Sequence, residues 1–259
     1  MDILLKSAPN FRGLGGLDAA EGARIRQCRL FRSQALDALP TSEVRRVQDL
    51  DIGLVCDLRS PTERESAPHN WLRTTSPAWI TPPYSQRLRA VQRSEWQQFL
   101  QDPEFDERKA AQTLIRAYCS MPRILTKVLA DLFEHCETAE PKALLVNCAA
   151  GKDRTGFVIA LLLWALGVPY DSIMADYLRS REGRQPERRA QEMLAPLYPL
   201  GMPDRVLKAA GILFSVSPEM LDTVLNKLKN DYGSIDNYLF QGAGLTANRK
   251  EALQRYFLE

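Results

Sequence analysis

The stretch from Leu144 to Leu166 constrains this chain more than any other. The apolar run Leu144-Leu145-Val146 enters Asn147-Cys148, the small residues Ala149-Ala150-Gly151 follow, and Lys152-Asp153-Arg154 leads into a second apolar segment. A short apolar run before a turn reads as a buried strand. The longer segment from Thr155 to Leu166 reads as a helix stopped by Gly167 and Pro169. Where a strand curls through small residues into a helix, backbone N–H groups point inward and the helix N-terminus adds partial positive charge. That geometry makes an anion site. Ala149, Ala150 and Gly151 are small enough to let the backbone approach the anion closely.

Arg154 lies six residues after Cys148 and can return its guanidinium to the same anion, holding two oxygens at once. These surroundings favour the thiolate of Cys148, since a free thiol titrates near ~8.5 and falls in such a site. A thiolate beneath a bound phosphate is placed for in-line attack on phosphorus, giving a cysteinyl-phosphate intermediate. The bland alternative is a buried core cysteine in a tight strand–helix turn. The joint register of cysteine, small residues, Gly151, Arg154 and Thr155-Gly156 outweighs it.

Charge balance narrows the partners. The chain has 34 basic and 32 acidic side chains in 259 residues, so any attraction to anions must be local, with no signature of nucleic-acid or membrane binding. Its apolar content of 45% suffices for one large α/β domain, or a domain plus an inserted cap, without disulfide or metal support. The cysteines Cys28, Cys56, Cys119, Cys136 and Cys148 are odd in number and scattered, as in a reduced intracellular chain. His69 and His135 supply too little for a histidine-rich metal site or a Ser-His-Asp hydrolase, so no metal and no cofactor is expected. His69, after Pro68, reads as a loop histidine, and His135 as a helix C-terminal cap. The first residues lack the pattern of a signal peptide, and the longest apolar run is half a membrane span. A cytoplasmic location is expected, with signal-independent secretion left open.

The rest of the chain supplies an α/β pattern, a central sheet flanked by helices. Ile52 to Leu58 reads as a second buried strand, and Thr41-Ser42-Glu43 as the start of a helix. Trp79 to Ser94, with Pro82 and Pro83, reads as a loop or the entrance to a cap. Ser94 to Phe99 and Glu107 to Cys136 carry helical patterns, with Pro122 at a kink or at the first turn of a second helix. Tyr170 to Arg181, Gln185 to Leu197, a segment opening at Ser217-Pro218-Glu219, and Thr246 to Phe257 read as further helices. The expected organisation is a single domain over residues 1–259, with residues 84–136 as a candidate helical lid or insertion.

Cys-x5-Arg followed by Thr-Gly resembles the signature of cysteine-based protein tyrosine phosphatases. The fuller run from Ala150 to Phe157 looks like their bacterial branch, the mycobacterial secreted tyrosine phosphatase B type. Asn10 to Gly16, Arg29 to Ser33, Asp57-Leu58-Arg59-Ser60 with Glu63, Asp176-Tyr177-Leu178 and the region from Tyr232 to Leu239 are similar to that branch as well. The resemblance implies hydrolysis of phosphotyrosine on a phosphorylated protein, with phosphoserine, phosphothreonine or phosphoinositides as further substrates. Other tyrosine phosphatases take their general acid from a Trp-Pro-Asp loop, a motif missing from this sequence. The bacterial branch implies Asp153 as the acid, against a bracing role for the same carboxylate. Asp57 is the rival acid, with an ion pair to Arg12 or Arg59 as its alternative.

Ala149, Ala150, Gly151, Lys152 and Arg59 are expected to contact the substrate, with Lys152 a charge at the rim, and Thr155 to support expulsion of the sulfur. Asn147 departs from the family, which usually has histidine before the nucleophile. Two alternatives stay beside the leading reading: a phosphate-binding pseudophosphatase weakened by Asn147, and a rhodanese-like sulfurtransferase.

Overall fold

A computed structural model describes residues 5–72, 76–82, 102, 104–181, 188, 191, 194–195, 198 and 201–259. Five strands form one sheet: β1 (Arg12–Gly13), β2 (Leu30–Ser33), β3 (Ile52–Asp57), β4 (Ala78–Ile80) and β5 (Ala143–Asn147). Their order is β1-β2-β5-β3-β4, and only the β1–β2 pair is antiparallel. β5 and most of β3 are buried throughout, as parallel strands covered on both faces must be.

Alternation along these strands sends side chains to two cores. Leu54, Cys56, Leu144 and Val146 join the larger cluster on one face, while Val55, Ala143 and Leu145 join the smaller cluster on the other. Ile52 would share Leu54's face in an unbroken strand. The register shift between Ile52 and Leu54 turns it to the smaller cluster instead. That side is covered by α1 (Thr41–Gln48), through Val47, and by Trp71.

The larger cluster is built on two helices. α3 (Glu107–Thr138), which follows the short α2 (Pro61–Ser66), is a single amphipathic helix, and α4 (Asp153–Ala165) is apolar almost all round. α5 (Tyr170–Leu178), α6 (Asp204–Phe214), α7 (Pro218–Tyr232) and α8 (Ala247–Phe257) complete the layer, and α3 packs against α4, α6, α7 and α8. Among the described residues no helix is long and apolar enough to cross a membrane.

Several expectations are corrected. Trp79 lies not in a loop but in β4, a three-residue edge strand too short to display a period, and the rest of that reading from residue 83 on lies outside the described residues. Pro122 sits inside one continuous helix rather than at the start of a second. It has no N–H for the Tyr118 carbonyl one turn back. α2 and α6 went unread in the sequence. Of the candidate lid or insertion at 84–136, the residues from Glu107 on lie in α3, and the stretch before it lies mostly outside the described residues. The helical readings at Ser94–Phe99 and over most of Gln185–Leu197 lie outside the described residues.

Candidate active site

The parallel strands end level with one another. Ser33, Asn147 and Asp57 are in register at the carboxyl ends of β2, β5 and β3, the edge where open α/β sheets bind ligands. Cys148 follows immediately and is 2% exposed. The chain then curls back so that the Gly151 amide donates to Cys148 Sγ at 3.2 Å, and enters α4 at Asp153.

The curl depends on Gly151. Its φ is +64°, and a Cβ there would overlap the backbone of Ser33 and Gln34. Left-handed backbone costs a residue with a Cβ about 1–2 kcal/mol, before any clash with main chain that cannot rotate away. Gly151→Ala is therefore expected to lower the urea midpoint by more than strain alone requires, and to cut activity at least ~10-fold even in the folded fraction. Wild-type activity per folded molecule would show that the curl tolerates a displaced β2 end.

Behind the loop, two arginines share one carboxylate. The β1–β2 pairing sets Arg12 opposite Arg32, and both reach Asp176 on α5. Arg12 Nε donates to Asp176 Oδ1 at 2.7 Å, and Arg32 Nη1 donates to Oδ2. Burial pushes the Arg12 guanidinium down, as does neighbouring Arg32; Asp176 opposes them, and the balance is about 10. Arg32 Nη2 also donates to the Gly151 carbonyl at 3.0 Å, and Asn10 Nδ2 to the Ala150 carbonyl at 2.8 Å. Carbonyls drawn outward in this way turn the loop's N–H groups inward.

Arg154 is held from the other side. Nη1 and Nη2 fork onto Glu63 at 3.0 and 3.1 Å, and Nη1 also donates to the Leu58 carbonyl. Glu63 is fixed by a capping box: Ser60 Oγ accepts from the Glu63 amide, and Glu63 Oε2 accepts from the Ser60 amide. Burial pushes the Cys148 thiol up, but the charge of Arg154 and the hydroxyl and amide of Thr155 outweigh it. The thiol therefore lies below its ordinary value, although Asp153 works against the shift. The Thr155 hydroxyl is buried and has no hydrogen-bond partner among the described residues, and it counts among the groups that lower the Cys148 thiol.

Asp57 and Arg59 form a closed unit. The Arg59 guanidinium forks onto Asp57 through Nε at 3.0 Å and Nη2 at 2.8 Å, while Nη1 donates to the Ala67 carbonyl. Asn147 Nδ2 donates to Asp57 Oδ1 at 3.0 Å, and His69 Nε2 lies 3.3 Å from Oδ2. Burial alone would raise the Asp57 carboxyl, but His69 and Arg59 hold it well below the usual carboxylate range.

Lys152 corrects its reading as a rim charge. It is 3% exposed, and its Nζ donates to the carbonyls of Leu213 and Ser215 at 2.9 and 2.6 Å. The last carbonyls of a helix lack internal partners and attract cations, so the C-terminus of α6 draws the ammonium inward. Asp153 lies in the first turn of α4. Its Oδ1 accepts from the Tyr118 hydroxyl at 2.7 Å and lies 3.3 Å from Lys152 Nζ, and the Tyr118 and Tyr177 hydroxyls are 2.6 Å apart. His69 does lie in the loop after α2, with its side chain buried at 1% exposed.

The structure thus gathers Cys148, Ala149, Ala150, Gly151, Asp153, Arg154, Thr155 and Asp57 at one sheet edge. It turns Arg59 and Lys152 toward protein partners. Sequence reasoning missed the parts of Glu63, Tyr118 and His69. Ser60-x-x-Glu63 before a helix was the available signal for the first. The other two join the site through residues far apart in the chain.

A five-stranded sheet flanked by helices thus carries a buried cysteine just beyond the carboxyl end of its central strand, beside a buried arginine. The chain belongs to the tyrosine phosphatase family, whose model matches residues 3–259, and so is a hydrolase of the protein-tyrosine phosphatase class. It is 31% identical over 248 residues to a Cupriavidus necator protein named "Putative tyrosine-protein phosphatase", covering 92% of this chain and 82% of the relative. It is 37% identical over 121 residues to the triple specificity protein phosphatase PtpB of Mycobacterium tuberculosis, a match over 43% of each chain. A crystal structure of TpbA from Pseudomonas aeruginosa aligns over 80% of this chain and 95% of its own at 15% identity. Its TM-score of 0.26 is too low to argue from.

Proposed function

We propose that this chain hydrolyses phosphotyrosine on protein substrates through a phosphocysteine formed on Cys148. The observation that carries the reading is a buried thiol whose titration lies below its ordinary value, set beside Arg154 at the mouth of the curl. The thiolate forms an S–P bond as the bond from phosphorus to the leaving oxygen breaks. Asp153 gives that oxygen its proton. Tyr118 and Lys152 occupy Oδ1 of this carboxyl group, which leaves Oδ2 for the leaving group. In the second step water loses its proton to Asp153 and attacks phosphorus, and the Thr155 hydroxyl steadies the departing thiolate.

Asp57 is the weaker acid. Its oxygens are taken by Arg59, Asn147 and His69, and its charged form is favoured, so we assign it to bracing. Arg59, committed to Asp57 and Ala67, braces with it. The amides from Ala149 to Lys152 cradle the phosphate. We place the chain in the secreted phosphatase B branch, on the 37% identical stretch shared with PtpB. That relative is named for triple specificity, and we propose phosphoserine, phosphothreonine and phosphoinositides as the further substrates to test. The pseudophosphatase reading rests on Asn147 alone, and Asn147 here has a defined partner in Asp57. The rhodanese-like reading is left without support by the family match.

The test is a rate survey over an activated aryl phosphate, a phosphotyrosine peptide, a phosphoserine peptide and a phosphoinositide, with the parent protein and Asp153→Asn. The parent is expected to favour phosphotyrosine. The variant is expected to lose ~10²-fold or more on poor leaving groups, a usual contribution of general acid catalysis, and far less on the activated ester. Equal losses on every substrate would make Asp153 a brace. A parent inactive on all four would overturn the function.

A further inference from the structure

Resting on the phosphocysteine reading above, we infer that His69 is a positioning residue for the nucleophile, acting through Asp57 and Asn147 on the strand end that carries Cys148. The imidazole is buried, and each ring nitrogen faces a group of known sign. The Leu36 amide donates to Nδ1 at 3.2 Å, so Nδ1 is the acceptor of the ring. The ring proton then sits on Nε2, 3.3 Å from Asp57 Oδ2. A neutral imidazole with this tautomer sets its N–H beside a carboxylate, in close contact but off the line of a hydrogen bond.

That donor completes the setting of Asp57. Oδ1 accepts from the Arg59 amide, Arg59 Nε and Asn147 Nδ2; Oδ2 accepts from Arg59 Nη2 and faces His69. Arg59 holds both oxygens, but from the same chain end as Asp57, only two residues away. His69 comes from a different segment, after α2, and adds a 3.3 Å contact on the second oxygen. With Oδ2 held, Oδ1 presents itself to Asn147, the residue directly before Cys148. Asn147 Nδ2 has Asp57 as its recorded partner, while Asn147 Oδ1 is buried without one among the described residues. The side chain's orientation therefore hangs on Asp57.

The anchoring of His69 is itself built. The ring lies 6.3 Å from Trp71 and 6.0 Å from Trp79 between ring centres. Its neighbour Asn70 is tied to Leu39 through both side-chain atoms, and its amide donates to the Leu36 carbonyl. The same segment continues to the cradle, where the Ala35 amide donates to the Ala149 carbonyl at 3.3 Å. The charged groups facing this unit are Asp57 and Arg59, and those facing the sulfur are Arg154 and Asp153.

The experiment compares His69→Gln with His69→Asn. A glutamine amide N–H reaches about where Nε2 stands, whereas the asparagine amide falls short at the position of Nδ1. The readouts are kcat and KM on an activated aryl phosphate, and the pH midpoint of Cys148 alkylation in substrate-free protein. We expect His69→Asn to lower kcat ~10-fold with KM changed less than ~2-fold, and to move the alkylation midpoint upward, because a misplaced strand end weakens the sulfur's contacts with Thr155 and Arg154. His69→Gln should restore most of both. If His69→Asn does not fold, His69→Gln alone decides: a parent-like midpoint supports the assignment, and a midpoint shifted with kcat lost ~10-fold overturns it. Equal behaviour of two folded variants overturns it as well. A parent that is alkylated normally but hydrolyses no phosphate ester would instead remove the phosphocysteine reading and leave the alkylation arm standing.

Discussion

Cys148→Ser is expected to abolish turnover, by at least about four orders of magnitude, while inorganic phosphate still binds within a few-fold of the parent affinity. Removing a nucleophile alone costs on the order of 10⁶ in an enzyme whose other groups remain. A serine hydroxyl is far less acidic than a thiol and stays protonated, so Thr155 and Arg154 would act on a neutral oxygen. The binding half of the prediction follows from the cradle, since the Gly151 curl, its outward carbonyls on Asn10 and Arg32, and Arg154 are untouched. Losing the thiolate also removes a negative charge beneath an incoming anion. Turnover of an aryl phosphate and calorimetric titration with phosphate check the two halves. Residual hydrolysis near the parent rate would mean that another group attacks phosphorus.

Arg154→Lys carries the second large effect. Lysine keeps the charge but loses the planar fork, and Arg154 uses that fork on Glu63 while standing next to the sulfur. A point charge can satisfy Glu63 or meet a phosphate oxygen, but cannot span both. Deleting one donor aimed at developing charge commonly costs 10²–10³-fold, about 3–4 kcal/mol. We expect kcat/KM to fall by at least that much, with phosphate binding weakened too, in contrast to the serine variant. The thiol should also titrate higher, since the charge that lowers it no longer sits in one place. Kinetics and alkylation on the same preparation read both effects. Unchanged phosphate affinity would show that the amides alone hold the anion.

The loop was legible because its chemistry is local. Strand, cysteine, small residues, glycine, arginine and helix follow one another in a dozen positions, and each restricts the next. The buried strands were legible for a similar reason: parallel strands covered on both faces read as unbroken apolar runs, as Ile52–Asp57 and Ala143–Asn147 do. β4 was not, because three residues cannot show a period and their pairing with β3 is set by a partner over twenty residues away. The fates of Lys152 and Arg59 were illegible for a different reason. Both are flexible cations whose direction is decided by where carbonyls and carboxylates lie in space. The α6 terminus that captures Lys152 comes some sixty residues later in the chain. Types of residue could be read; the aim of long side chains could not.

The pairing of charges around the sulfur bears on how a substrate is captured. Arg12, Arg32, Arg59, Lys152 and Arg154 are all buried, and Asp57, Glu63, Asp153 and Asp176 stand among them. With the thiolate counted, this group of side chains is formally neutral, and it carries one positive charge when Asp153 holds the proton it gives in the first step. It projects little field beyond a Debye length, roughly 8–10 Å in ordinary buffers. Long-range steering of phosphate esters by these residues is therefore weak, and encounter proceeds at the pace of ordinary diffusion and orientation. Discrimination begins only when the phosphoryl group has shed water and reached the amides. A site organised in this way selects by fit at contact, and ionic strength bears lightly on its selectivity.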